Sequence, residues 1–187
     1  MSVLICGFDD SNHAGDRKGD IIAGVFSTRE EDAVIKKFPN RRDRELFRRW
    51  FSQYPEQRDY RFTELHDDFL RRIQPNLPLV APFLINSYLS YANIEFDTIK
   101  VYFDGILKKW HKEFLRDICS TRFDGIYVDN FVKKQNIHEC PTAVYIADIL
   151  SHDIYEGLYS NVIENEKRVI VDESRLSQIV SDNRGKR

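Results

Sequence analysis

Val3-Leu4-Ile5-Cys6-Gly7-Phe8-Asp9-Asp10-Ser11 is the stretch that decides the fold. An unbroken apolar run ends in two adjacent acids. A run of that length, closed by turn-forming residues, reads as a strand buried on both faces. It carries no basic residue, so it is expected to be a first core strand and not a signal peptide. Burying an acid at the end of such a strand is costly unless its charge is compensated. Two further aspartates stand in comparable settings. Asp104 ends Ile99-Lys100-Val101-Tyr102-Phe103, and Asp148 interrupts Ala143-Val144-Tyr145-Ile146-Ala147. Three acids set against apolar segments point to convergence on a divalent cation.

Outward from the first strand, the polar stretch 11–19 leads to a second strand, Ile21–Ser27, and the two read as an antiparallel hairpin with a long loop. Arg29–Lys37 is a short helical candidate, stopped by Pro39 and Asn40. Arg41–Tyr54 reads as a helix with Leu46, Phe47, Trp50 and Phe51 on one face. Tyr60–Leu65 alternates as a third strand, and Asp67–Ile73 reads as helical. Pro75, Pro78 and Pro82 then break the chain, with Pro82 placed in the first turn of a helix running to Tyr91. A fourth strand, Ile99–Phe103, is followed by the helix Ile106–Cys119 and a fifth strand, Gly125–Val128. Pro141 opens a helix through Leu158, Val169–Val171 is a last short strand, and Ser174–Val180 a terminal helix. The order predicts an α/β fold with a mixed sheet: an antiparallel meander, then strands joined by crossover helices.

The chain has 187 residues, a length that suits a single domain over 1–187. No apolar run approaches the roughly 20 residues of a membrane span, so no membrane partner is expected. The three cysteines, Cys6, Cys119 and Cys140, are odd in number and form no Cys-x-x-Cys. A disulfide framework and a zinc ribbon are therefore not indicated, and a reducing, cytoplasmic setting is expected. The net charge of −2 neither demands nor excludes nucleic acid. Basic residues cluster at Arg41, Arg42, Arg44, Arg48 and Arg49, and at Lys108, Lys109 and Lys112. Each cluster is either a solvated helix face or a local grip on phosphates.

If the first and fourth strands are parallel neighbours, Asp9 and Asp104 emerge at the same sheet edge, where ligands of open α/β sheets bind. On the last long helix Ala143, Ala147, Leu150, Ile154 and Leu158 form the apolar stripe. Asp148 lies about 100° round from its centre, flanking the core, with Tyr145 one turn back and His152 one turn on. At an effective dielectric of ~20, two like charges ~4 Å apart repel by roughly 4 kcal/mol. Such a cluster persists only if some members are protonated or a cation sits among them. All-oxygen ligation favours Mg²⁺ or Mn²⁺. Singly, each acid has a plain structural reading: an Asx turn at Asp9-Asp10-Ser11, a turn at Asp104-Gly105, a partly exposed helix residue at Asp148. Jointly, in this order on this kind of sheet, the site reading is preferred.

Gly7-Phe8-Asp9-Asp10-Ser11 with the strand Ile21–Ser27, Val101-Tyr102-Phe103-Asp104, and Pro141-Thr142-Ala143-Val144-Tyr145-Ile146-Ala147-Asp148-Ile149-Leu150 together resemble the ribonuclease-H-like superfamily. The nearest forms are type 2 ribonuclease H and a group of uncharacterised domains that open Asp-Glu-Ser-Gly. The resemblance covers about residues 3–27 and 98–158, leaving 38–92 as a helical insertion. It implies a five-stranded mixed sheet flanked by helices. It also implies metal ligation by Asp9, Asp104 and Asp148, with Asp10 as the second acid of the opening pair and all four catalytic. Asp10 stands where Glu is usual, and Ser11-Asn12-His13 replaces the Gly-Arg-Gly with which type 2 enzymes read a ribose 2′-hydroxyl. Lys133 and Lys134 match a Lys that precedes the last helix in similar domains, where it would hold a substrate phosphate. Glu64 is a possible further acid, and His13 and His152 possible proton carriers. The expected function is phosphodiester hydrolysis by metal-activated water, that of a nuclease on RNA or DNA. The alternative is a non-catalytic nucleic-acid- or protein-binding module on the same fold. A phospho-acceptor receiver is set aside because Asp104 comes too late in the chain, and a P-loop because Gly15 and Gly19 lack the following Lys-Ser/Thr.

Overall fold

A computed structural model of the chain describes residues 2–11, 20–37, 41–54, 59–66, 77–105, 107–131, 139–158 and 167–183. Its strands are β1 (Val3–Asp10), β2 (Asp20–Ser27), β3 (Ile35–Lys37), β4 (Asp59–Leu65), β5 (Thr98–Asp104), β6 (Gly125–Phe131) and β7 (Glu139–Pro141). Its helices are α1 (Arg41–Gln53), α2 (Leu77–Ala92), α3 (Lys109–Cys119), α4 (Thr142–Tyr155) and α5 (Glu173–Asp182), with a short 3-10 turn at Glu30–Ala33.

Five strands form one sheet in the order β4-β2-β1-β5-β6. β2 is antiparallel to both β1 and β4, whereas β5 is parallel to both β1 and β6. This is the five-stranded mixed sheet, flanked by helices, that the resemblance implies. Because β1 is central, its odd and even residues face two different cores. Leu4, Cys6 and Phe8 join Ile99, Val101 and Phe103 of β5 in the larger core, against α2, α3 and α5. Phe8 stacks on Phe103 at 5.3 Å there and meets Phe26 edge-on at 5.9 Å. Ile5 and Tyr102 face the other way, onto Cys140, Ala143 and Val144 at the start of α4. α4 also covers Ile21, Ala23 and Val25 of β2 through Ile146, Ala147 and Leu150.

Gly7 lets α4 lie directly on β1. A Cβ there would overlap the Ala143 carbonyl carbon and the Val144 nitrogen, which are helix backbone and cannot swing aside. A glycine inside a strand marks such a close approach.

Several elements differ from the sequence expectation. Arg29–Lys37 is not a helix: the 3-10 turn is followed by β3, which pairs antiparallel with β7. The helix placed around Pro82 begins earlier, at Leu77, so Pro82 lies inside α2. Val169–Val171 forms no strand; a single parallel bridge joins Arg168 to Phe62 on the β4 edge. β6 runs on to Phe131, and α4 ends at Tyr155. Within 38–92, the strand expected at Tyr60–Leu65 is present as β4, an edge strand of the main sheet. In α1 only Phe51 is fully buried, Phe47 and Trp50 pack against the same core, and Leu46 is exposed. Asp67–Ile73 lies outside the described residues. The three cysteines are free and buried, and no helix among the described residues is long and apolar enough to cross a membrane.

His111, in the first turn of α3, accepts the Lys108 N–H at Nδ1 (3.0 Å) and is buried. Burial pushes its pKa down to about 4, and the Lys108 charge adds to the effect. A histidine whose folded pKa is depressed holds stability above its unfolded pKa of ~6.5 and loses it as pH falls towards the folded value. The expected loss between pH 7 and pH 4 is roughly 3 kcal/mol from this group. Urea unfolding of wild type beside His111→Gln, compared at pH 7 and pH 4.5, measures it; a constant difference between the two proteins would contradict it.

Candidate functional site

Gly7 pairs with Tyr102 and Phe8 with Phe103, so the next step of the parallel register brings Asp9 beside Asp104. Alternation puts both acids on the α4 side of the sheet, since Tyr102 packs on Ala143 and Val144 there. α4 then carries Asp148 about one and a half turns beyond the contact at Gly7. Asp9 is almost wholly buried, whereas Asp104 and Asp148 are half-buried. Burial raises the Asp9 carboxyl well above the usual range, and the charges of Asp104, Asp148 and Asp10 push it further; only the Asp10 N–H works against them. The four acids expected from the sequence thus share one electrostatic environment.

Asp10 takes a different part from Asp9. Alternation directs it to the opposite face, that of Cys6 and Phe8. Its backbone N–H donates to Asp9 Oδ1 (2.8 Å) and fixes that carboxylate. Next to it, Ser11 Oγ donates to Asp20 (2.6 Å) and accepts the Ile21 N–H (3.0 Å), closing the base of the β1–β2 connection.

Asp9 Oδ2 is buried and has no hydrogen-bond partner among the described residues. Asp148 Oδ2 has an ionic neighbour, Arg44 Nη2 of α1 at 2.5 Å, but no N–H points at it with hydrogen-bond geometry. One turn further along, α1 is held to α4 by a better-formed pair. Arg48 Nε donates to both oxygens of Asp153 (2.9 and 2.8 Å) and its Nη2 to Oδ1 (2.6 Å), with Asp153 completely buried. Arg44 and Arg48 are therefore committed within the protein. Of the arginine cluster, Arg41, Arg42 and Arg49 are exposed, as are Lys108 and Lys109.

The donors fit a hard divalent cation. They are all oxygens, and one of them is a buried carboxylate oxygen without a hydrogen bond among the described residues. Among the described residues, however, no three His, Cys, Asp or Glu side chains are grouped closely enough to hold an ion as they stand. Glu64 is engaged elsewhere, paired with Arg168 at 2.8 Å. His152 lies 3.7 Å from Asp153, beside the Arg48 pair, and is not among the groups that shift Asp9. His13, Lys133 and Lys134 lie outside the described residues.

Sequence reasoning missed Arg44 as a member of this environment. The available signal was spacing: Arg44 and Arg48 on α1, Asp148 and Asp153 on α4, each pair about one turn apart and rising in the same direction.

No family model matches the chain, and no curated protein matches it. Among solved structures the chain is similar to a chain of the PCNA:RNase HII complex from Archaeoglobus fulgidus. The two are 13% identical with a TM-score of 0.48, over 97% of this chain and 90% of that one. The strand order and directions, rather than this likeness, define the fold.

Proposed function

We propose that this protein is a divalent-metal-dependent phosphodiesterase, a nuclease acting on RNA or DNA. The observation that carries the reading is the Asp9 carboxylate: buried, one oxygen without a hydrogen bond among the described residues, its charge opposed by three neighbouring acids. Asp9, Asp104 and Asp148 would hold Mg²⁺ or Mn²⁺. Bound there, the ion would polarise a phosphate and lower the pKa of water. Asp10 assists by orienting Asp9 through its N–H and by adding negative charge. Lys133 and Lys134 are assigned to the substrate phosphate. The exposed Arg41, Arg42, Arg49, Lys108 and Lys109 are assigned to the nucleic-acid backbone, with binding that weakens steeply as salt rises. The reading places one such domain over 1–187, in the cytoplasm.

A second reading, a nucleic-acid- or protein-binding module without catalysis, is favoured by the Arg44–Asp148 contact, which sets an internal cation against one of the acids.

Asp9→Asn separates the two. A carboxyl whose folded pKa is raised contributes stability below its unfolded pKa of ~3.9 and loses it as pH rises through the folded value. Near neutral pH without divalent ions, Asp9→Asn is therefore expected to melt several degrees above wild type. In calorimetry, wild type is expected to take up Mn²⁺ and Asp9→Asn to take up none. A folded wild type that binds no Mn²⁺, with or without a nucleic-acid ligand, would favour the binding module.

A further inference from the structure

We propose that Arg44 is the resident counter-ion of the carboxylate site, and that a divalent cation must displace its guanidinium from Asp148 in order to bind. The inference rests on the reading that Asp9, Asp104 and Asp148 hold a metal. It adds a residue from outside the acid set and states what that residue does.

Two contrasts within the α1–α4 contact carry it. Arg48 meets Asp153 with three directed hydrogen bonds to a fully buried carboxylate, the geometry of a pair that holds two helices together. Arg44 meets Asp148 at 2.5 Å without that geometry, and both side chains keep some exposure, 26% and 13%. Asp148 is also one of the acids whose charge opposes ionisation of Asp9. The guanidinium therefore neutralises the cluster more than it docks the helix. Docking has other means: Arg48, and the burial of Phe51 among Tyr60, Ile146, Ala147 and Leu150.

The second contrast is rigidity. Arg44 is one turn before Arg48 on a helix that Phe51 anchors in the core and Arg48 ties to α4, which keeps the Arg44 side chain beside Asp148. Asp43, Arg44 and Asp148 all act on the Tyr145 hydroxyl, which burial chiefly pushes up; Arg44 pulls it down. The positive charge is thus placed by the fold between α1 and the acids. A cation arriving at Asp148 and the Arg44 guanidinium cannot both occupy the same oxygen. Once displaced, Arg44 has its planar donor fork free beside the site, the geometry suited to a phosphate.

The test is Mn²⁺ calorimetry on folded wild type, Arg44→Gln, Arg44→Lys and Arg41→Gln, with circular dichroism to confirm the fold of each. Arg41 is on the same helix and 94% exposed, so its loss makes the same charge change without touching Asp148. Arg44→Gln is expected to bind Mn²⁺ about tenfold more tightly than wild type, a coupling of ordinary size between two ligands of one group. Arg44→Lys and Arg41→Gln are expected to stay within about twofold of wild type, since the lysine keeps the competing charge and the distant arginine never supplied it. Equal or weaker binding by Arg44→Gln would overturn the role of Arg44 and leave the metal site standing. No Mn²⁺ uptake by either wild type or Arg44→Gln would remove the metal site, and this inference with it. If Arg44→Gln does not fold, Mg²⁺ titration of ¹⁵N-labelled wild type decides: the Arg44 Nε–H resonance is expected to move with saturation, and a resonance unmoved at saturation overturns the proposal.

Discussion

Asp104→Asn is expected to lose at least about a thousandfold in phosphodiester hydrolysis while keeping the wild-type fold, a change of roughly 4 kcal/mol in the barrier. The side chain ends β5 on the α4 side, half-exposed, and its charge is the first among the neighbouring acids opposing Asp9. An amide of the same shape removes a negative ligand without creating a cavity. Melting temperature should therefore hold or rise, because one repulsion in the cluster is gone. The measurement is cleavage of labelled RNA, DNA and hybrid duplex in Mn²⁺, wild type beside variant, with circular dichroism of both. Wild-type cleavage that survives in Asp104→Asn would remove this residue from the chemistry. If neither protein cleaves any of the three substrates but wild type binds one of them, the non-catalytic reading takes over.

Gly7→Ala has a larger expected effect on stability. The added methyl enters the backbone of α4 at Ala143 and Val144, so the helix must lift from β1. Overpacking against backbone is expected to cost about 3 kcal/mol or more. The displacement also travels to the site, because the turn of α4 that rests on Gly7 is followed directly by the turn that bears Asp148. The folded fraction of Gly7→Ala is therefore expected to bind Mn²⁺ more weakly than wild type, although no ligand has been changed. Urea unfolding gives the first number and calorimetry the second. Wild-type stability in Gly7→Ala would mean that α4 does not rest on β1 at this point.

The central strands and the acids were legible because they are governed by patterns that short stretches of sequence carry. β1 is a continuous apolar run closed by an acid, β5 is a largely apolar one interrupted at Lys100 and closed by an acid, and α4 repeats its apolar residues at helical spacing. The condition under which Asp9 and Asp104 share a sheet edge, β1 and β5 as parallel neighbours, is met in the fold. What was not legible depends on long-range partners. Ile35-Lys36-Lys37 has no period of its own, and becomes β3 only because Glu139–Pro141 runs alongside it. Val169–Val171 has strand composition, yet it meets the β4 edge only through the Val169 N–H, which donates to the Phe62 carbonyl beside a single bridge at Arg168. The arginines of α1 read as a solvated face until α4 supplies Asp148 and Asp153 opposite two of them. A charge run says nothing about which members will be consumed by ion pairs inside the fold. Gly7 was visible as a residue but not as the seat of a helix, which only the packing of α4 reveals.

The parallel pairing of β1 with β5 sets an order of events during synthesis. β1 and β2 can pair as a hairpin early, but the other edge of β1 stays bare until Thr98–Asp104 has been made. Asp148 follows still later, about 140 residues after Asp9. At ~5–20 residues per second the interval is on the order of ten seconds. Until β5 arrives, an apolar strand offers unpaired backbone groups to any other nascent chain, a recognised route to aggregation. Asp9 and Asp10 stand at the end of that strand and keep it charged while it waits. The pair that the finished protein would use to gather a cation thus serves first as a guard on an unfinished sheet.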